Sequence, residues 1–429
     1  MPRSRLVPLI RRVVLVLVLS ANVAILYLAR TGGLGPVVHG DRAFALPAVS
    51  RLRVAGMEPE ATALLVDDAA TANPDLAPVA VHTPPGLLPV DHEVELPAGF
   101  SISLVATGIA QPRFMTFDAA GNLLVASFAG SVYRLPIGVD GGIAPVAGPL
   151  APLISSLDGP SSLAIHAGFL YVGETHQISR YPYDPSGPVG QAEVAVPDLP
   201  VGGHATRTVV FGPDSSMYVS VGSSCNICQE RDQRRAAIAR YRSDGTDGER
   251  FAWGLRNAVG LAIQPSTGLL WATVNERDNQ GNEVPPDLVT IVRPGDDFGW
   301  PDCQPPRARP QTPDASCSDI TPPTVGIQAH SAPLGLAFYS GVGFPSEYRG
   351  DLFVAQHGSW NRQPPAEPKI LRIHFEDGRP ASARDFATGW QRPDGSRWGR
   401  PAGVIEAPDG SLIVSDDAGG VLYRISYSD

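Results

Sequence analysis

The sequence predicts an all-β fold, a six-bladed β-propeller, and three observations carry that prediction. The 429 residues include 45 Gly and 43 Pro, a turn-rich composition, and 43% of the chain is hydrophobic against 18% charged, ample for a large core. A tight turn followed by an apolar, alternating run recurs six times at spacings of roughly 45 to 85 residues, the period of four-stranded blades with insertions. A strand-like segment, FSISLVAT, lies ahead of the first copy and is placed to complete the last blade, which would leave no sheet edge open.

In chain order the first element is hydrophobic. Arg3, Arg5, Arg11 and Arg12 precede an uncharged run from Val13 to Ala29, closed by Arg30. A basic flank ahead of about 17 apolar residues directs the following chain across a membrane and sits at the lower limit for spanning it. No small-x-small cleavage site ends the run, so residues 1–30 read as a retained signal anchor, and the rest of the chain as extracytoplasmic, periplasmic or cell-surface. Residues 31–92 are rich in Ala, Pro and Val without a sustained period of 3.6 or 2, and read as a linker. The propeller is assigned to residues 93–429.

The six copies follow. Their turns are Ala119-Ala120-Gly121-Asn122, Ala167-Gly168, Pro213-Asp214-Ser215-Ser216, Pro265-Ser266-Thr267-Gly268, Gly350-Asp351 and Pro408-Asp409-Gly410-Ser411. The wide gap between the fourth and fifth copies holds Pro305, Pro306, Pro310, Pro313, Pro322 and Pro323 with Cys303 and Cys317. It reads as a long loop stapled by a disulfide. Four cysteines in an exported chain most simply form two local disulfides, Cys225 with Cys228 and Cys303 with Cys317. The first pair resembles half a zinc site, but the second lacks matching spacing, and Gln229 stands where a c-type haem motif needs His.

A formal charge of −10 argues against a nucleic-acid partner. Because propellers serve enzymes, scaffolds and binders alike, function must be read from the loops. His204 follows Gly202-Gly203 and precedes a strand, where an accessible imidazole can accept a proton or simply brace a turn. Arg256 and Asn257, in WGLRNAVG, offer a donor fork and an amide at a loop, for a ligand or for the backbone. The oxygen-rich run Asn275 to Glu283, including Asp278 and Asn279, suits a hard cation such as calcium or a solvated acidic loop. Late in the chain, His357 to Arg362 and Trp398-Gly399-Arg400 combine aromatic and Arg side chains able to sandwich a flat anion or to pack blades.

Taken together, LPAGFSISLVATGIAQPRFMTF, GGHATRTVVFGPD, GLRNAVGLAIQP, NERD with PPD, GDDFGWP, APLGLAFY, HGSWNR and WGRPAGVIEAPDGSLIVSDDAGG resemble the pyrroloquinoline-quinone-dependent glucose and sorbosone (aldose sugar) dehydrogenases. The resemblance covers roughly the last four-fifths of the chain in order. It implies a six-bladed propeller that oxidises an aldose or aldehyde sugar to a lactone or acid with pyrroloquinoline quinone (PQQ) and calcium. It further implies that His204 is the base, that Arg256 polarises the quinone carbonyl, and that Asn257, Arg362 and Arg400 bind the cofactor. Calcium would sit at Asp278 and Asn279, largely on backbone oxygens. The chain departs from the better-known members at Asp278-Asn279, where they carry Gly-Pro, at Arg362, where they carry Lys, and at Ala402, where they carry a second Arg. A membrane quinone or small cytochrome would take the electrons, which suits an anchor. Two competing readings are a carbohydrate- or protein-binding propeller with a degenerate site and a metal-dependent sugar lactonase.

Overall fold

The computed structural model describes residues 64–429 apart from 88–89, 137, 139–144, 147–149, 305–308, 311–315 and 429. The described residues build six blades of four antiparallel strands, which run in sequence order from the centre outward in blades 1 to 5. Blade 1 comprises Pro112–Phe117, Leu123–Ser127, Ser131–Leu135 and Ile154–Ser155; blade 2 comprises Ser162–His166, Phe169–Glu174, Gln177–Pro182 and Glu193–Val196. Blade 3 runs Arg207–Phe211, Met217–Val221, Ala237–Tyr241 and Glu249–Trp253, and blade 4 runs Ala258–Ile263, Leu270–Val274, Asp287–Val292 and Val325–Ile327. Blade 5 is Pro333–Phe338, Leu352–Gln356, Lys369–Glu376 and Arg379–Ala387. Blade 6 takes Pro401–Glu406, Leu412–Asp416 and Val421–Tyr427 from the C-terminus and Phe100–Thr107 from far upstream. That last pairing is the closure expected from FSISLVAT. Each first strand contacts the first strand of the next blade, and the sixth contacts the first, so the ring is complete.

The six turn-plus-apolar-run copies are the hairpin turns into the six second strands. Neighbouring blades cover these strands on both faces, and five of them are buried along their whole length. This is why they read as nearly continuous apolar runs.

The inner strands are irregular where they meet the channel. Register shifts interrupt the first strands of blades 1, 4, 5 and 6, and a bulge leaves main-chain groups outside the ladder. Hydroxyls of the preceding blade satisfy them. Thr273 donates to Leu334 O at 2.6 Å, Ser415 to Arg113 O at 2.7 Å, and Thr208 to Val259 O. Gly260 is obligatory at such a junction, because a Cβ there would overlap Leu334 O and crowd the Leu336 side chain.

Composition reads residues 31–92 as linker, yet from Leu64 onward this stretch packs on the propeller. Leu64–Leu65 adds in parallel to the outer strand of blade 4, and Ala77–Ala80 pairs with Glu93–Leu96. The physical reason is edge coverage: an open outer strand gains backbone partners from any extended segment laid beside it. The chain's sole lysine fastens the segment. Lys369 Nζ, 2% exposed, contacts Asp68 at 2.9 Å, Asp385 at 2.8 Å and Thr71 at 3.3 Å. Lys369→Met leaves Asp385 buried without its countercharge and is expected to destabilise by about 3–5 kcal/mol, read as a lower denaturation midpoint. The hydrophobic segment 13–29 lies outside the described residues. Among the described residues no helix is long and apolar enough to cross a membrane.

Candidate active site

One end of the ring gathers the loops that enter the first strands and the loops joining second to third strands. They enclose a cavity of about 370 Å³ lined by His204, Arg256, Asn257, Asp278, His357 and Arg400, among others. Five of the seven residues singled out from the sequence therefore meet here. Of the other two, Asn279 is exposed with a left-handed φ of 61°. Arg362 is engaged by Glu283 at 2.9 Å and by Asn282 O, on the loop beside the cavity.

The histidine is held in one tautomer. His204 Nδ1 lies 2.9 Å from Ser223 O, a carbonyl that can only accept, so Nδ1 carries the proton. Nε2 has no protein partner among the described residues and is the basic nitrogen. Burial, reinforced by the positive charge of Arg256, pushes the imidazole pKa down to about 4, so the ring is neutral at physiological pH.

Arg256 is 4% exposed and fully braced. It donates from Nε to Asn226 O at 3.2 Å, from Nη1 to Glu276 O at 2.7 Å, and from Nη2 to Asp278 Oδ2 at 2.7 Å. Asp278 Oδ1 accepts from Asn361 Nδ2 at 3.0 Å. Beside this pair, Gly222 has no side chain, and a Cβ there would lie 2.7 Å from His204 Cβ and also overlap Asn257 Oδ1. The missing side chain lets the base and the amide sit together.

Across the cavity, His357 Nε2 contacts Asp417 Oδ1 at 2.7 Å, and Arg113 donates to Asp417 Oδ2 at 2.6 Å. Burial holds the His357 pKa down to about 4 in spite of the carboxylate. Arg400 donates to His357 O at 2.8 Å and Gly358 O at 2.9 Å. Below, Asp287 is fully enclosed and accepts from Glu276 N and Ala332 N, each at 2.8 Å; burial pushes its pKa up to about 7.

The two late tryptophans part company. Trp360 is 73% exposed at the cavity wall. Trp398 instead packs against Trp390 and His92 and donates to Gly389 O at 2.7 Å, so it is a packing residue. Both expected disulfides are present, Cys225–Cys228 and Cys303–Cys317, which removes the zinc reading of the first pair. Sequence reasoning missed Arg113, Asn226, His330 and Asp417. Arg113 and Asp417 are 304 residues apart, and no local pattern announces such a pair.

Three guanidinium groups, from Arg113, Arg256 and Arg400, line the cavity of a chain with net charge −10. Three buried lining oxygens, Asn257 Oδ1, Glu276 Oε1 and Asn361 Oδ1, have no hydrogen-bond partner among the described residues. Orphaned acceptors of this kind are met by ordered water, an ion or a ligand that brings donors. The fold and site thus define a propeller with an arginine-lined cavity set against a neutral histidine.

The TrAA12-like family model matches residues 94–305 and 289–428, and the chain belongs to that family. A pyrroloquinoline-quinone-dependent sugar dehydrogenase of Hypocrea jecorina is 25% identical over 401 residues, covering 77% of this chain and 88% of that one. An uncharacterized protein of Borreliella burgdorferi is 31% identical over 237 residues, and the match spans 52% of this chain and 61% of that relative's length. The calcium structure of the Trichoderma reesei carbohydrate-active enzyme of family AA12 superposes with a TM-score of 0.71 at 23% identity, over 81% of this chain and 100% of that one. At that identity the likeness is one of fold.

Proposed function

We propose that this protein is a PQQ-dependent dehydrogenase that oxidises an aldose or sugar aldehyde of the glucose or sorbosone type to its lactone or acid. The observation that carries the reading is the neutral His204, its Nε2 without a protein partner among the described residues, in an arginine-walled cavity. PQQ, when bound, supplies the hydride acceptor. Arg113 and Arg400 suit its carboxylates, and Asn257 its ring substituents; Arg362 joins them only if it leaves Glu283. Calcium would find free side-chain oxygens at Asn257 and Asn361, whereas the oxygens of Asp278 already accept from Arg256, Asn361 and Asn226 and Asn279 is exposed; it would supply Lewis acidity.

The chain's own residues do the rest. His204 Nε2 takes the proton of the sugar hydroxyl while Ser223 O fixes the ring through Nδ1. Arg256, held by four oxygens, keeps positive charge where negative charge develops and needs no reorganisation to do so. Trp360 offers an exposed aromatic face for the C–H face of a sugar ring. The N-terminal hydrophobic segment supports an extracytoplasmic, membrane-tethered enzyme passing electrons to a membrane quinone or small cytochrome.

The test is dye reduction by the purified protein with PQQ, calcium and a panel of aldoses, beside the unloaded protein. Turnover that requires the quinone and a sugar supports the reading; equal rates without quinone would sink it. The pH profile is a further prediction. The imidazole pKa lies below the ordinary 6.5, so the proton-free base persists through neutrality and is lost only as pH falls toward about 4. The acid limb of kcat/KM is therefore expected near pH 4, and a limb centred at 6.5 would assign the titration to another group.

A further inference from the structure

We propose that Asn226, displayed in the loop closed by the Cys225–Cys228 disulfide, is a positioning residue that registers Arg256 and Asp278 to one another. The inference rests on the dehydrogenase reading above.

The loop joins the second and third strands of blade 3, and residues 222–230 carry no regular secondary structure. Asn226 nevertheless makes bonds in two directions. Its Oδ1 accepts from Asp278 N at 2.8 Å and its Nδ2 donates to Asp278 O at 2.9 Å, a two-point clasp across 52 residues. Both main-chain groups of Asp278 are thereby satisfied, and the clasp fixes orientation as well as place. The main-chain oxygen of Asn226 accepts from Arg256 Nε at 3.2 Å and from Trp300 Nε1 at 3.0 Å. Arg256 Nη2 then donates to Asp278 Oδ2 at 2.7 Å, which closes a cycle of three residues.

The same loop carries the base. Ser223 O accepts from His204 Nδ1, Ser223 N donates to Arg256 O at 2.8 Å, and Ser223 Oγ donates to Cys225 O at 2.6 Å. Histidine, guanidinium and carboxylate are thus referred to one short segment. Ser223 is buried at the base of the segment, while Ile227 at its tip is 41% exposed. The disulfide adds a covalent constraint at that tip. Its cysteines are only three residues apart, against 14 for Cys303–Cys317, so it restrains the unfolded chain little and acts locally. A residue that orients a metal-site or cofactor-site group typically changes affinity or rate by about 10–100-fold when removed.

The experiment compares the full chain with Asn226→Ala, Asn226→Asp and Cys225→Ser/Cys228→Ser. It measures kcat and sugar KM with PQQ and calcium at saturation, calcium affinity by calorimetry, the absorption of the bound quinone, and the thermal midpoint of the unloaded protein. Asn226→Ala is expected to lower kcat and calcium affinity by about 10–100-fold, to shift the quinone absorption, and to keep sugar KM within about twofold. Asn226→Asp keeps an acceptor for Asp278 N and is expected to recover part of the loss. The double cysteine variant should move in the same direction as Asn226→Ala. Unchanged kcat and calcium affinity in Asn226→Ala would overturn the inference, as would losses that match the fraction of protein unfolded. Absence of turnover in the unaltered chain would instead sink the dehydrogenase reading.

Discussion

Alanine at position 204 is expected to lower kcat by about 10²–10⁴-fold, the range for removal of a positioned general base. The ring lines the cavity, is neutral, and is locked with an Nε2 that carries no proton and has no protein partner among the described residues, whereas the neutral His357 is tied through its Nε2 to Asp417. Ser223 O takes the Nδ1 proton, and burial beside Arg256 keeps Nε2 free of one. The His204 main-chain bond to Ser223 O survives the substitution, so the loss to stability is one side-chain hydrogen bond, about 1 kcal/mol. Steady-state dye reduction set against a quinone-binding titration separates the roles. Retained quinone affinity with lost kcat places His204 in proton transfer. Parallel loss of both would make it a binding residue.

Removing the guanidinium of Arg256 has the second large effect, an expected fall of about 10²–10³-fold in kcat, as for a preorganised charge that acts in the transition state. Arg256→Lys keeps the charge but lacks the planar fork that meets Asn226 O, Asn275 O, Glu276 O and Asp278 Oδ2 together, so it should recover only part of the rate. The alanine variant carries a second signature. Arg256 is among the causes that depress the His204 pKa, so its loss lets that pKa rise toward 6.5 and moves the acid limb of kcat/KM to higher pH. A variant with reduced rate and an unmoved limb would show that the two side chains are not electrostatically coupled.

How much of this was legible in the sequence follows from distance along the chain. The blades were, because each second strand is buried on both faces and begins at a turn, so its pattern is complete within a dozen residues. Closure of the ring was, because Phe100–Thr107 reads as a strand and lies ahead of the first copy, where it can complete the last blade. His204, Arg256, Asn257, Asp278 and Arg400 were found because each sits in a loop next to a recognisable strand. Asn226 gave one local signal, its place between paired cysteines, but its function lies in contacts with Asp278 that only the folded ring creates. The packing of Leu64 to Ala80 against blades 4 and 5 was hidden for the same reason. Composition there is that of a linker, and what orders it is an open strand edge and the ammonium of Lys369, both hundreds of residues away.

The most direct test of the central claim is a titration of the metal-free protein with PQQ in the presence and absence of calcium, followed by addition of aldoses and a dye. The account predicts saturable uptake of one equivalent of quinone, strengthened by calcium, and dye reduction that then depends on sugar. A folded protein that takes up no quinone under either condition would contradict it.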